Sequence, residues 1–305
     1  MRGNVTRKVR GALRGTVAVV SAVSAALLVT SCDDGGDAKS GAGQGAAAVR
    51  PSPSPTPTSA WDPRPRSIAS LGDSITRGFD ACSVLKDCPE ASWATGTKVD
   101  SLARRLLPSP ATSSWNFAKT GARMADLPDQ MRAAVQQKPQ LVTVLVGAND
   151  ACRNQVSYMT PVDDFRADFE SSVAELRKAL PKSQLYVASV PDLKRLWTSG
   201  RNNSIAKTVW KLGICPTMLR DPDAQDPASE ERRAQVDKRV GEYNAVLKDV
   251  CGRDKLCRYD GSVHGYDFDG DQLSKWDWFH PSKNGQGRLA DMAYREITAV
   301  RPSGT

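Results

Sequence analysis

The sequence predicts an α/β domain in which a parallel β-sheet is covered by helices on both faces. Strand-like and helix-like segments alternate from residue 66 onward. The strand-like segments are short, apolar and rich in β-branched residues, as strands buried on both faces are. The helix-like ones carry their apolar residues at every third or fourth position, which is one face of a helix. Regular alternation of the two is the pattern of a parallel sheet.

Residues 67–71 read as a short buried strand and 99–107 as a helix, followed by a second strand at 114–118 and a second helix at 125–136. The run Leu141-Val142-Thr143-Val144-Leu145-Val146 is the clearest strand: it is β-branched, too short for a typical helix and broken by Gly147. A long helix spans 162–180, with Val162, Phe165, Phe169, Val173, Leu176 and Leu180 on one face, and Pro181 stops it. Residues 184–190 form a fourth strand. A helix over 230–250 aligns Val236, Val240, Tyr243, Leu247 and Val250, and 256–259 is a short fifth strand. Pro281-Ser282 opens a terminal helix. The segment 197–227 yields no assignment, and no internal repeat is present.

The first 65 residues do not read as folded. A basic stretch to Arg14 precedes an apolar run over 16–30, shorter than the roughly 20 residues a membrane span needs. This is the layout of a secretory signal over 1–31. It ends at Val29-Thr30-Ser31-Cys32, which resembles a bacterial lipobox, so Cys32 is expected to carry lipid and become the new N-terminus. Residues 32–65 then form a tether, Gly- and Ala-rich at first and then with alternating prolines that favour an extended chain. The domain occupies 66–301, about 240 residues, enough for one core. The expected location is exported: anchored to the outer side of the cell membrane, or secreted.

The formal charge of +8 does not point to nucleic acid. Five of the 42 basic residues lie in 1–31 with no acid among them, and the other 37 face 34 acidic residues, a balance of +3. No long basic run occurs in the folded part. A monomer is expected.

Setting Cys32 aside, six cysteines remain: Cys82, Cys88, Cys152, Cys215, Cys251 and Cys257. An even number in an exported chain suggests disulfides, with 15 connectivities open to six cysteines. Cys82–Cys88 and Cys251–Cys257 are close enough to close locally, which leaves Cys152 for Cys215. Zinc is disfavoured, since no C-x2-C pair or Cys/His cluster occurs.

The chemistry gathers where strands end. Gly72-Asp73-Ser74 follows the first strand, and ligands of open α/β sheets bind outside the carboxyl ends of the strands. A turn with an Asp or Ser helix cap would explain these residues equally. A serine hydroxyl needs a base to act as a nucleophile, and the chain has only two histidines. His280 stands in Asp277-Trp278-Phe279-His280-Pro281-Ser282, where Asp277 can curl back and accept the imidazole Nδ1–H, freeing Nε2 for the serine proton. His264 has no acid at that spacing and reads as structural or surface. Gly121 and Asn149 follow the second and third strands; a bare backbone N–H and a side-chain amide are both suitable donors to an oxyanion, as is the Ser74 N–H. Trp276, Trp278 and Phe279 either wall a substrate site or belong to the core. Asp73 and Asp150 are expected to brace their loops. The acidic run 267–271 lacks the ligand pattern of a calcium loop and reads as a solvated turn.

Together the four blocks resemble the SGNH/GDSL hydrolase family, named for a Ser, Gly, Asn and His in this order: here Ser74, Gly121, Asn149 and His280. The resemblance spans about 66–298 and implies a three-layer, flavodoxin-like α/β/α sandwich. It also implies a serine esterase or lipase with Ser74, Asp277 and His280 as its triad and Ser74, Gly121 and Asn149 as its oxyanion hole. No metal or cofactor is then required, and the partner is an ester substrate. The stretch from Trp115 to Pro128 and Gly213-Ile214-Cys215-Pro216 look like the phospholipase B-like branch, which implies a lipid ester only weakly. Deacetylation of a cell-surface polysaccharide, and a binding lipoprotein on a retired hydrolase scaffold, remain as alternative readings.

Overall fold

The structure, a computed structural model, describes residues 61–300. The expected signal segment, Cys32 and the proline-rich tract lie outside these residues. Five strands, β1 (Ile68–Gly72), β2 (Ser114–Asn116), β3 (Leu141–Leu145), β4 (Gln184–Ala188) and β5 (Cys257–Asp260), form one sheet in the order β2-β1-β3-β4-β5, and every pair is parallel. This is the flavodoxin-like doubly wound order.

Alternation along the strands separates two cores. Val142 and Val144 of β3, with Leu185 and Val187 of β4, pack on one face against Phe165, Phe169 and Leu176 from the helix Val162–Ala179 and Val240, Tyr243 and Leu247 from the helix Pro227–Gly252. Leu141, Leu145, Tyr186 and Ala188 point the other way, onto Leu102, Trp93 and the terminal helix Lys283–Thr298 through Leu289, Ala293 and Ile297. A three-layer α/β/α sandwich results.

Departures from the sequence expectation have local causes. The helix expected over 99–107 is confined to Leu102–Leu106, because the Ser101 hydroxyl donates to Gly96 O (2.7 Å) and accepts from Arg104 N, making Ser101 the cap. β2 ends at Asn116 because that side chain accepts the Ala118 N–H (3.1 Å) and turns the chain. The unassigned segment 197–227 holds short helices, Leu193–Gly200, Ser204–Trp210 and Pro216–Leu219, the first two capped by Asp192 and Asn203. Trp61, placed by the sequence reading in the tether, is buried and donates to Ile297 O (2.9 Å), so packing begins ahead of residue 66. The three disulfides are Cys82–Cys88, Cys152–Cys215 and Cys251–Cys257, as expected.

Candidate active site

The sheet order reverses between β1 and β3, and this switch point is where doubly wound sheets open a crevice. Gly72 ends β1 at φ +148°, and a Cβ there would sit 2.2 Å from Leu145 O of β3, so only glycine fits. The Gln130 side chain clamps this strand end, accepting the Gly72 N–H (2.8 Å) and donating to its carbonyl (2.9 Å). Asp73 accepts the Ile75 N–H (2.9 Å) and caps the short helix Ser74–Arg77, which Gly78 closes. Ser74 is thereby fixed at the first position of that helix.

Its partners arrive from the chain just before the terminal helix. Trp278 adopts φ +50°, a conformation unusual for a bulky residue, and this bends Asp277 back over His280. Asp277 Oδ1 accepts the N–H groups of Phe279 (2.9 Å) and His280 (3.0 Å). Its Oδ2 lies 2.5 Å from His280 Nδ1, and His280 Nε2 lies 2.8 Å from Ser74 Oγ. The imidazole is flanked by Phe79 and Phe279, with ring centroids 4.9 and 5.0 Å away. The Trp210 indole N–H donates to Asp277 O (3.0 Å) and anchors the turn from the side of the 204–210 helix.

The Gly121 loop is docked beside this array. The Lys119 N–H donates to Gly72 O (3.1 Å), and Asn149 Nδ2 donates to Ala122 O (3.0 Å). Gly121 is exposed at φ +82°, with open space where a Cβ would stand. Asp150, next to Asn149, accepts the Met124 N–H (2.9 Å) and the Thr160 hydroxyl (2.7 Å), and so ties the β2, β3 and 160 segments together. The Cys152–Cys215 bridge closes the same region.

Burial dominates the electrostatics. It pushes Asp73 up to about 7, against the Ile75 hydrogen bond. It pushes Asp150 up to about 6, against the hydrogen bonds from Thr160 and Met124. Asp277 is buried too, yet the hydrogen bond and charge of His280 and two backbone N–H groups hold it below the ordinary carboxyl range. Asp277 is therefore an anion where His280 would become a cation.

Other expectations resolve simply. His264 Nδ1 lies 3.1 Å from Val190 O, and the His264 N–H donates to the Ser189 hydroxyl (2.9 Å). In the 267–271 turn, Asp267 pairs with Arg195 (2.8 Å) and Asp271 with Asn284. Phe279 and Trp278 pack partly on the core, and Trp276 lies under Lys275. Sequence reasoning missed Gln130, Gln286 and Asp80. Gln286 donates to Ile75 O (2.7 Å) and accepts the Trp93 N–H (2.8 Å), steadying the Ser74 helix from the terminal helix.

The profile of GDSL-like lipases and acylhydrolases matches residues 68–292, from β1 into the terminal helix and across every residue of this array. The chain belongs to that family. As a GDSL-family protein it is a carboxylic ester hydrolase. An acetyl xylan esterase from Geobacillus stearothermophilus shares the fold at 18% identity, over 78% of this chain and 97% of that one, with a TM-score of 0.50. An alpha/beta hydrolase from the metagenome of Lake Arreo, Spain, is 16% identical over 77% of this chain and 97% of its own, with a TM-score of 0.49. No curated protein matches the sequence.

Proposed function

We propose that this GDSL-family hydrolase cleaves carboxylic esters through an acyl-enzyme on Ser74. The observation that carries the reading is the continuous relay from Ser74 Oγ to His280 Nε2 (2.8 Å) and from His280 Nδ1 to Asp277 Oδ2 (2.5 Å). His280 takes the serine proton as Oγ attacks the ester carbonyl, and Asp277 fixes the tautomer and stabilises the imidazolium. The Ser74 and Gly121 N–H groups and the Asn149 amide receive the oxyanion. His280 passes its proton to the leaving alcohol, then activates the water that frees the acid.

A lipid ester is the favoured substrate class. Among the described residues, the large apolar side chains left exposed are Val84, Leu85, Tyr158, Ile205, Leu212 and Val300. All but Val300 lie on connections leaving the carboxyl ends of β1, β3 and β4, the edge of the sheet that holds Ser74. Exposed apolar side chains on the connections at the Ser74 edge suit an enzyme working at a lipid surface. Purified protein is expected to hydrolyse long-chain p-nitrophenyl esters and phospholipid vesicles faster than acetylated xylan. Activity confined to the acetylated glycan would reassign the substrate.

The N-terminal pattern supports an exported lipoprotein held to the outer membrane face through Cys32. In the native host, Cys32→Ala is expected to release the protein into the medium or leave an uncleaved precursor. Mass spectrometry finding an unmodified mature N-terminus on the wild type would remove the anchor.

A further inference from the structure

The relay leaves one buried acid beside it without a role. Asp80 is 1% exposed and sits at φ +56°, two residues before the loop that Cys82–Cys88 closes. Its carboxylate accepts the Leu85 N–H, its own N–H donates to Lys86 O (3.0 Å), and its carbonyl accepts the Ser274 hydroxyl (2.8 Å). The backbone is thus held on both sides and the carboxylate by the Leu85 N–H. A carboxylate oxygen of Asp80, one of Asp277 and a ring nitrogen of His280 all lie within 4.8 Å of one another.

Among the described residues, no Lys or Arg forms a salt bridge with Asp80. Arg77, on the neighbouring helix, turns to Asp87 (3.1 Å), and Lys275, from the segment before Asp277, lies over Trp276. The titratable groups that act on it most strongly are Asp277 and His280. A buried carboxylate with no counter-charge is costly, and the positive charge that can arise next to this one is the imidazolium of His280.

We propose that Asp80 is a positioning residue for ester hydrolysis, a second carboxylate beside Asp277 that acts through His280 by adding its charge to the stabilisation of the imidazolium. The inference rests on the Ser74–His280–Asp277 reading. Two acids this close titrate as a pair. Burial, then the hydrogen bond and charge of Asp277, raise Asp80 well above the ordinary carboxyl range, to about 6. In acid, one proton stays between the two carboxyls and the second negative charge is absent. As pH rises past that point the proton leaves, and the imidazolium formed on serine attack gains a second anion.

The test is the pH–rate profile of the full chain on a soluble p-nitrophenyl ester from pH 5 to 9, for wild type, Asp80→Asn, Asp80→Glu and Ser74→Ala. Asn retains the oxygen that accepts the Leu85 N–H, and mimics Asp80 in its protonated state. At pH 8, Asp80→Asn is expected to lose about tenfold in kcat with KM nearly unchanged, a modest fraction of the field of a charge at this distance. The gap should close toward pH 5, where wild-type Asp80 is itself protonated, and Asp80→Glu should recover part of the rate at high pH. A loss of equal size at every pH would mean that Asp80 only shapes the loop, and no loss would remove it altogether. Should Asp80→Asn fail to fold, the wild-type profile still decides: its acid limb should carry two ionisations, and a single one overturns the proposal. A wild-type profile for Asp80→Asn with an inactive Ser74→Ala defeats this inference alone, whereas an active Ser74→Ala defeats the triad reading beneath it.

Discussion

Ser74→Ala is expected to leave a folded protein whose ester hydrolysis falls by on the order of 10⁶-fold in kcat, as when the nucleophile of a serine triad is removed. The deleted oxygen contacts His280 Nε2 (2.8 Å), while the features that fix residue 74 survive: the Asp73 cap, the Gln130 clamp on Gly72 and the Gln286 bond to Ile75. Thermal unfolding should therefore be nearly unchanged. The three residues act as a unit, so Ser74→Ala/His280→Ala should be no worse than either single variant. Asp277→Asn should cost about 10⁴-fold, because an amide at the Oδ2 position presents a donor to Nδ1 and favours the wrong tautomer. A fluorophosphonate probe should add covalently to wild-type Ser74 and not to the Ala variant. Retention of wild-type turnover within tenfold by folded Ser74→Ala would dismiss this serine as the nucleophile.

Much of this was legible in the sequence because the strands are buried on both faces. Such strands read as apolar runs, and 141–145 and 184–188 announce themselves that way. The site residues were legible because each follows a strand end or, for Asp277 and His280, shares a short turn. What escaped notice depends on side chains that meet across long stretches of chain. Gln130 reaches Gly72, Gln286 reaches Ile75 and Asp80 meets Asp277, and in none of these pairs does spacing signal the contact. The 197–227 segment failed for a different reason. Its helices are short, and they are set by caps at Asp192 and Asn203 and by burial of Trp197 and Trp210, so no long apolar period develops. Trp61 follows a proline-rich tract whose composition says nothing of burial, although its indole donates to Ile297 O near the end of the terminal helix.

Asn149→Ala is expected to lower kcat by about 10²–10³-fold and to change KM little. The expectation follows from how tightly the amide is held. Gly147, at φ +127°, makes the turn out of β3, and a Cβ there would strike Val190 Cγ2 at 2.6 Å. The helical turn Ala148–Ala151 then presents Asn149, while Asp150 and the Cys152–Cys215 bridge pin the residues after it. One amide N–H is committed to Ala122 O (3.0 Å), which fixes the plane of the group and leaves the second N–H to donate. A donor held in this way needs no reorganisation as negative charge develops on the carbonyl oxygen, so its effect falls on the transition state rather than on substrate binding. Asn149→Asp should be the more damaging change, since it removes the donor and sets a negative charge beside the oxyanion. Because the same side chain steadies the Gly121 loop, Gly121 N–H alignment will contribute to the loss, and a double-mutant cycle with Gly121→Ala should show coupling between the two. A rise in KM with kcat intact would make Asn149 a contact to the bound ester and take it out of the oxyanion hole.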